Sequence, residues 1–495
     1  VQAHGFGQHY DLPVPLQLYL IGAAATVVLS FILFGLFIRE IPVWDSYPRL
    51  NLLRWPWGRF LVHPRAFLFY KLLGMGLFVL VVASGFLGRQ YPPSKNLAPT
   101  FVWVIWWVGL AYVSALVGNL WPFINPWRTA FAGLEAFYRR LNPQGKLSLQ
   151  LPYPQKLGVW PGFLLFFMFA WVELVFKGRA VPANLALILV LYSLLTWIGM
   201  FLFGREQWLQ CGEFFSLVFG LLAHFALTEI RVIDPKICKI CGLKCRNYHG
   251  ECLNCHGCFE LADNTQREWN LRPFAVGLLH QKVISTSMMA LVLLLLSTVT
   301  FDGFMSTSLW IQIRDSLYWY AIPNIGIYRL TLTETLGMIT FIILFLGLYW
   351  LSCKFMAIIL EDRLPTEKLA RAFTLSLIPI AIAYHLAHYL SFLLIQGQLV
   401  IPLASDPFGL GWNLLGTAGY KINIGIIGAR FVWITAVIAI VLGHVMAICL
   451  SHIEALKLFK ERSQALRSQY PMLILMVGYT MVSLWIFAQP IVEGK

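Results

Sequence analysis

Ten stretches of about 20 mostly apolar residues constrain this chain more than any other feature, because a hydrocarbon layer about 30 Å thick calls for segments of that length. They cover residues 14–38, 67–88, 101–121, 158–176, 183–203, 281–302, 335–360, 372–396, 430–452 and 470–490. Within lipid every backbone N–H and C=O must find a partner in the protein, and isolated apolar runs meet that demand as helices. The expectation is an all-α fold, a polytopic transmembrane bundle of about ten helices in contact with membrane lipids, carrying a small Cys-rich metal-binding loop. Composition agrees, with 59% hydrophobic and 12% charged residues and a mean hydropathy of +0.70.

The formal net charge of +14 forms no single basic face or run, which argues against a nucleic-acid partner. It is better explained by the preference of Lys and Arg for the cytoplasmic ends of spans. Arg39, Arg49, Arg54, Arg59 and Arg65 mark one such loop, and Arg128, Arg139, Arg140, Lys146 and Lys156 mark another. Both place the N-terminus outside. A start at Val1 fits a cleaved secretory signal, which would put the first residues on the same side.

Three units follow from the pattern: N-terminal helices over 1–230, a Cys-rich loop over 231–272, and C-terminal helices over 273–495. Asn125-Pro126 reads as a helix start, with Asn as the cap and Pro at the first helical position. The helix it opens sets Trp127, Phe131, Leu134 and Tyr138 on one face, suited to the membrane surface or to packing on the bundle. Residues 208–228 are short for a span and contain Glu213 and His224. If they cross, the cysteines lie outside; if they are re-entrant, the cysteines are cytoplasmic. Lys236, Lys239, Lys244, Arg246, Arg267 and Arg272 around the cysteines favour the second arrangement. Segments 303–334 and 397–429 fit external loops.

Six of the nine cysteines fall in the central loop: Cys238, Cys241, Cys245, Cys252, Cys255 and Cys258. Thiols at such short gaps gather several sulfurs on tight turns, which suits a soft metal. Cys238, Cys241, Cys252 and Cys255 form C-x2-C-x10-C-x2-C, a zinc-site spacing. Cys245, Cys258, His249 and His256 could complete a second four-ligand site. Four of the same thiolates also suit an iron–sulfur cluster, although the familiar C-x2-C-x2-C-x3-C-P run is missing. Cys252-Leu-Asn-Cys255-His256 matches the haem c attachment pattern, which needs the external topology. Disulfides are a further alternative. Cys211, Cys353 and Cys449, in apolar surroundings, read as small buried thiols.

Histidine inside a bilayer is costly, so His385, His388 and His444 are candidates for haem b or metal ligation. His385 and His388 share a helix face, and counting from the outer ends puts His385 roughly 16 Å and His444 roughly 21 Å deep. Hydrogen bonding to backbone or to Tyr384 and Tyr389 is the structural alternative. His4, His9 and Asp11, with Asp302 and Asp315 on the same side, suggest an outer copper or zinc site. Glu173 suggests an ion pair with Lys177, and His452 reads as a surface residue.

His4-Gly-Phe-Gly with Tyr10-Asp-Leu-Pro-Val-Pro, Asn125-Pro-Trp-Arg, Thr300-Phe-Asp-Gly-Phe, His385-Leu-Ala-His388-Tyr-Leu and Gly443-His444-Val together resemble a group of multi-span bacterial and archaeal membrane proteins. Some of these carry the label fenitrothion hydrolase-like. The resemblance covers most of the membrane part and implies a prokaryotic cytoplasmic membrane; the cysteine island departs from it.

Taken together, these residues point to an integral membrane subunit of a respiratory or redox complex. It would anchor a partner subunit or pass electrons through the histidine site and the cysteine-held zinc or iron–sulfur group, toward a quinone or cytochrome. The alternatives are a membrane metalloenzyme with structural zinc in the loop, and a transporter using the discontinuous segment 208–228. No Gly-x-Ser-x-Gly or His-Glu-x-x-His motif is present to name a reaction.

Overall fold

All ten apolar runs form helices in the computed structural model, which describes residues 12–38, 47–234, 236–237, 252–279, 284–323, 325–361, 363–459 and 461–489. Spans one to ten are Leu16–Phe37, Pro64–Leu87, Leu97–Leu116, Gln155–Leu174, Pro182–Phe203, Thr286–Phe304, Tyr328–Ile359, Thr366–Ser405, Ala429–Leu458 and Arg462–Ala488. The shortest has 19 residues, which at 1.5 Å per residue still reaches about 28 Å. Proline opens spans two and five, where a missing N–H costs nothing. Ser285 caps span six by accepting from the Met288 amide at 3.2 Å.

Span six is the axis of the bundle, with most of its residues buried, whereas span two turns Leu68, Phe69 and Leu72 outward. Such a face suits lipid, since the bilayer is as apolar as the core. Spans eight and nine pack backbone to backbone at Gly443. A Cβ there would lie 2.4 Å from the Ala383 Cβ and 2.8 Å from the Pro379 carbonyl, so only glycine permits the approach.

The segment after span five forms two short helices instead of one long one. Gly204, at φ +88°, ends span five; a short helix Arg205–Cys211 follows, then a second, Phe214–Ala223. Ten residues of helix rise only about 15 Å, half the hydrocarbon thickness. Glu213 caps the second helix and is saturated with donors. Its carboxylate accepts from the amides of Phe215 and Ser216, the Ser216 and Tyr192 hydroxyls, the Trp121 indole and the Asn125 amide. A buried charge with that many donors is a structural knot.

Beyond Ala223 the chain enters a small antiparallel sheet of order β1-β4-β2-β3, with β1 Leu50–Asn51, β2 Thr228–Val232, β3 Cys252–Leu253 and β4 Arg267–Leu271. Ile230 faces Trp269 and Val232 faces Cys252 across its ladders. Strand β1 lies between spans one and two and pairs with β4, and Thr228 donates from its amide to Val117 at the end of span three. These contacts fix the sheet at the end of the bundle where span one leaves and span two enters. The cysteine region is therefore built on a sheet, a feature beyond the expected loop.

A buried ion pair locks the sheet to the broken segment. Glu229 accepts from Arg272 at 2.8 Å, Arg49 at 2.7 Å and the Tyr47 hydroxyl at 2.6 Å. Arg272 also donates to the carbonyls of Ala223, His224 and Ala226. The helix Pro126–Leu141 starts as expected, with Asn125 accepting from the Arg128 amide at 3.0 Å. It buries Trp127 and Phe131 and leaves Leu134, Phe137 and Leu141 exposed, so one face packs on the bundle and the other is open to lipid.

Candidate metal centre and intramembrane histidines

The candidate metal centre begins with backbone geometry. Asn254, at φ +53°, turns the chain sharply after β3, and the short helix His256–Leu261 starts directly behind Cys255. A thiol on the strand, one at the turn and one on the first helical turn thereby converge. The sulfurs of Cys252, Cys255 and Cys258 all lie within 4.8 Å of one another. Four thiolates around one tetrahedral ion at 2.3 Å sit about 3.8 Å apart. A cubane spreads its thiolates wider, since each binds a different iron.

The surroundings hold this trio rigidly. Cys252 and Cys258 are buried with Leu53, Val62, Phe67, Ile230, Val232 and Phe259 in a small core of their own. Arg267 reaches across it, donating to the carbonyls of Phe259 at 2.7 Å and Val62 at 2.8 Å, with its guanidinium over the Phe259 ring. Glu260 ties the unit to span two through Lys71 at 2.6 Å, and approaches Arg128 at 3.7 Å. Cys238, Cys241, Cys245 and His249 lie outside the described residues.

His256 is adjacent to the trio but does not join it. Its Nε2 lies 3.2 Å from the Asn119 carbonyl, and its ring meets Phe123 edge-on at 5.1 Å. Burial, reinforced by the nearby Arg128, pushes its pKa down to about 3, so the ring is neutral. The Cys252-Leu-Asn-Cys255-His256 run thus turns its histidine toward the bundle.

Beneath the trio is a cavity of about 810 Å³, lined by Cys255, Cys258, His256 and Arg128 on one side and by Leu221 and Met288 on the other. That volume falls within the range of small-molecule and cofactor sites.

The intramembrane histidines are all buried but face different neighbours. His388 Nε2 lies 2.8 Å from Asp302 on span six. His385 meets Trp107 of span three edge-on and lies tilted against Tyr112 of the same span and Tyr389 of its own helix. His444 Nδ1 approaches its own Ile440 carbonyl at 2.8 Å, and its ring faces Tyr479 on span ten. Among the described residues the three thiols alone bring three His, Cys, Asp or Glu ligand atoms within 4.8 Å. His385 meets span three, His388 span six and His444 span ten.

Two expectations are revised, and a third rests on residues outside the described ones. Lys177 pairs with Glu334 of span seven, and Glu173 instead faces Asp302, Arg179 and Tyr389. His452 is fully buried, with Nε2 at 3.0 Å from the Ile38 carbonyl and Nδ1 beside Gln469. Asp302 serves His388 and Tyr389; its proposed companions His4, His9 and Asp11 lie outside the described residues. The grouping of Glu173 and Arg179 with Asp302 escaped the sequence, whose only signal was a carboxylate inside an apolar run.

Compared with protein-family models, with curated proteins and with solved structures, the chain matches none. The chemistry rests on the geometry above.

Proposed function

We propose that this protein is the integral membrane subunit of a redox complex, holding a thiolate-bound single metal ion at the edge of a cavity for a lipid-soluble carrier of the quinone class. The observation that carries the reading is the compact Cys252, Cys255, Cys258 trio, two of whose members line the 810 Å³ cavity. The thiol spacing supports one ion bound by these three and a fourth ligand, with zinc or a single iron as the soft metals that fit. Cys252, Cys255 and Cys258 would hold the ion; zinc there would staple the module that docks the partner subunit, and iron would supply one-electron chemistry. The distribution of charge supports a cytoplasmic module. The module's end of the bundle gathers Arg49, Arg54, Arg59, Arg65, Arg128, Arg139, Arg140, Lys146, Lys156, Arg205, Arg363, Lys368, Arg371 and Arg467, against Arg89, Lys95, Lys177, Arg179, Arg314 and Lys421 in the loops at the other end.

The cavity has the mixed lining a quinone needs, with Arg128 and Asn119 for the carbonyl oxygens and Leu217, Leu221 and Met288 for the ring and tail. The test is calorimetric titration of a short-chain quinone into purified protein, together with mass spectrometry of what co-purifies in mild detergent. Saturable binding weakened about tenfold by Arg128→Ala, with a cofactor-bearing partner retained, is the expected result. No quinone binding and no such partner would remove the redox reading.

A further inference from the structure

Beside the cysteine module lies a second cavity, of about 320 Å³. Phe67 and Tyr70 of span two, Phe123 and Ile124 of the short helix Trp121–Ile124, and Ile230 and Phe259 of the module form its walls. Its polar members are engaged elsewhere. The Thr228 hydroxyl donates to the Val117 carbonyl at 2.6 Å, Glu229 is held by Arg272 and Arg49, and His256 Nε2 lies 3.2 Å from the Asn119 carbonyl. Leu61, Val117 and Leu120 line the cavity and are themselves 37%, 48% and 44% exposed, so they mark its mouth. An apolar space that opens through leucine and valine between membrane spans favours hydrocarbon.

The chain at this mouth has the character of a membrane interface. Trp55, Trp57 and Phe60, at and on the short helix Pro56–Leu61, are exposed, and Trp57 meets Trp269 of the cavity wall edge-on at 6.0 Å. Tryptophans beside a span sit at headgroup level. In span two, Arg65 shares a face with Leu68, Phe69 and Leu72, each more than half exposed. It therefore stands where that lipid-facing stripe meets the headgroups. Arg59 and Arg65 bracket Leu61 and Val62 of the cavity, both are exposed, and neither has a carboxylate partner among the described residues. The acids of the neighbouring elements are already paired: Glu229 with Arg272 and Arg49, Glu260 with Lys71, Glu268 with Arg231. Arg59 fixes its Nε on the Leu53 carbonyl at 2.8 Å, which leaves its terminal nitrogens for an anion.

We infer that this cavity and its two arginines bind one anionic phospholipid, with an acyl chain entering past Leu61 and Leu120 and the phosphate held by Arg59 and Arg65. The guanidinium fork matches phosphate oxygens, and basic pockets between spans bind anionic headgroups. The volume admits part of one chain, and the rest of the lipid stays in the leaflet at the module's end.

The test is native mass spectrometry of the full chain, delipidated in mild detergent and titrated with dimyristoyl phosphatidylglycerol or with dimyristoyl phosphatidylcholine. One tightly held phosphatidylglycerol per chain is expected, with an affinity on the order of tenfold above that of phosphatidylcholine. Arg65→Gln should narrow that preference, and Arg59→Gln combined with Arg65→Gln should abolish it. Leu120→Trp narrows the mouth without touching a charge; it should weaken both lipids about tenfold and keep their ratio, and it carries the test if the arginine variants do not fold. Arg139→Gln with Arg140→Gln, exposed on the helix Pro126–Leu141, should change neither lipid. Inorganic phosphate at millimolar concentration should not displace the lipid. Equal binding of the two lipids, displacement by phosphate, an unchanged preference in folded arginine variants, or affinity untouched by Leu120→Trp would each overturn the assignment.

Discussion

Replacing Glu229 by alanine probes how the module is fastened to the membrane domain. The substitution removes three short contacts, from Arg272, Arg49 and the Tyr47 hydroxyl. It leaves the Arg272 guanidinium, with 1% of its side chain accessible, without a counter-charge. Breaking a buried pair in this way costs about 3–5 kcal/mol. Arg272 keeps its carbonyl partners at Ala223, His224 and Ala226, which places the cost near the lower end, about 3 kcal/mol. Arg49, partly exposed, can turn to solvent. Because β2 pairs with β4 through Ile230 and Trp269, the loss should appear as easier opening of that ladder. Hydrogen exchange read by mass spectrometry on peptides covering β2 and β4 should accelerate on the order of 100-fold, at 1.36 kcal/mol per factor of ten. The double variant Glu229→Met with Arg272→Met removes both charges and should recover most of the protection. An acceleration below tenfold in the single variant, or a double variant as labile as the single, would refute the reasoning.

Other substitutions test other parts of the structure. Tyr47, its phenol pushed up to about 12 by burial and then by Glu229, contributes stability present in full below pH ~10 and lost as pH rises through ~12; denaturation across that window should flatten in Tyr47→Phe. Glu213→Gln should weaken the cap of Phe214–Ala223 by about 1–2 kcal/mol, seen as faster exchange in that helix and unchanged exchange in spans nine and ten. Gly443→Val should force spans eight and nine apart at a cost of about 1–3 kcal/mol, lowering the unfolding temperature in detergent; an unchanged temperature would contradict the close packing.

What could be read from the sequence divides along physical lines. The ten spans are legible because a bilayer imposes length and apolarity on each segment separately. The Asn125-Pro126 start is legible because a cap depends on its own few neighbours. That Phe214–Ala223 is too short for a full span was legible from length. The sheet was hidden: β1 and β3 have two residues each, too few for any alternation to show. Long-range partners were hidden as well. Lys177 is four residues from Glu173, yet it pairs with Glu334 on another span. His452, near the charged end of span nine, is buried because the Ile38 carbonyl and Gln469 come to it. Spacing brought out the thiols, while the neighbours of His385, His388 and His444 on spans three, six and ten needed the packing of the bundle.

The central claim is that the cysteine module binds a single ion through thiolates. Elemental analysis, acid-labile sulfide determination and an optical spectrum on the purified full-length chain test it together. The account predicts zinc or iron bound without inorganic sulfide, no haem absorbance, and loss of that metal in Cys252→Ser and Cys255→Ser. Stoichiometric sulfide with several irons per chain, a haem band, or metal content unaffected by either substitution would contradict it.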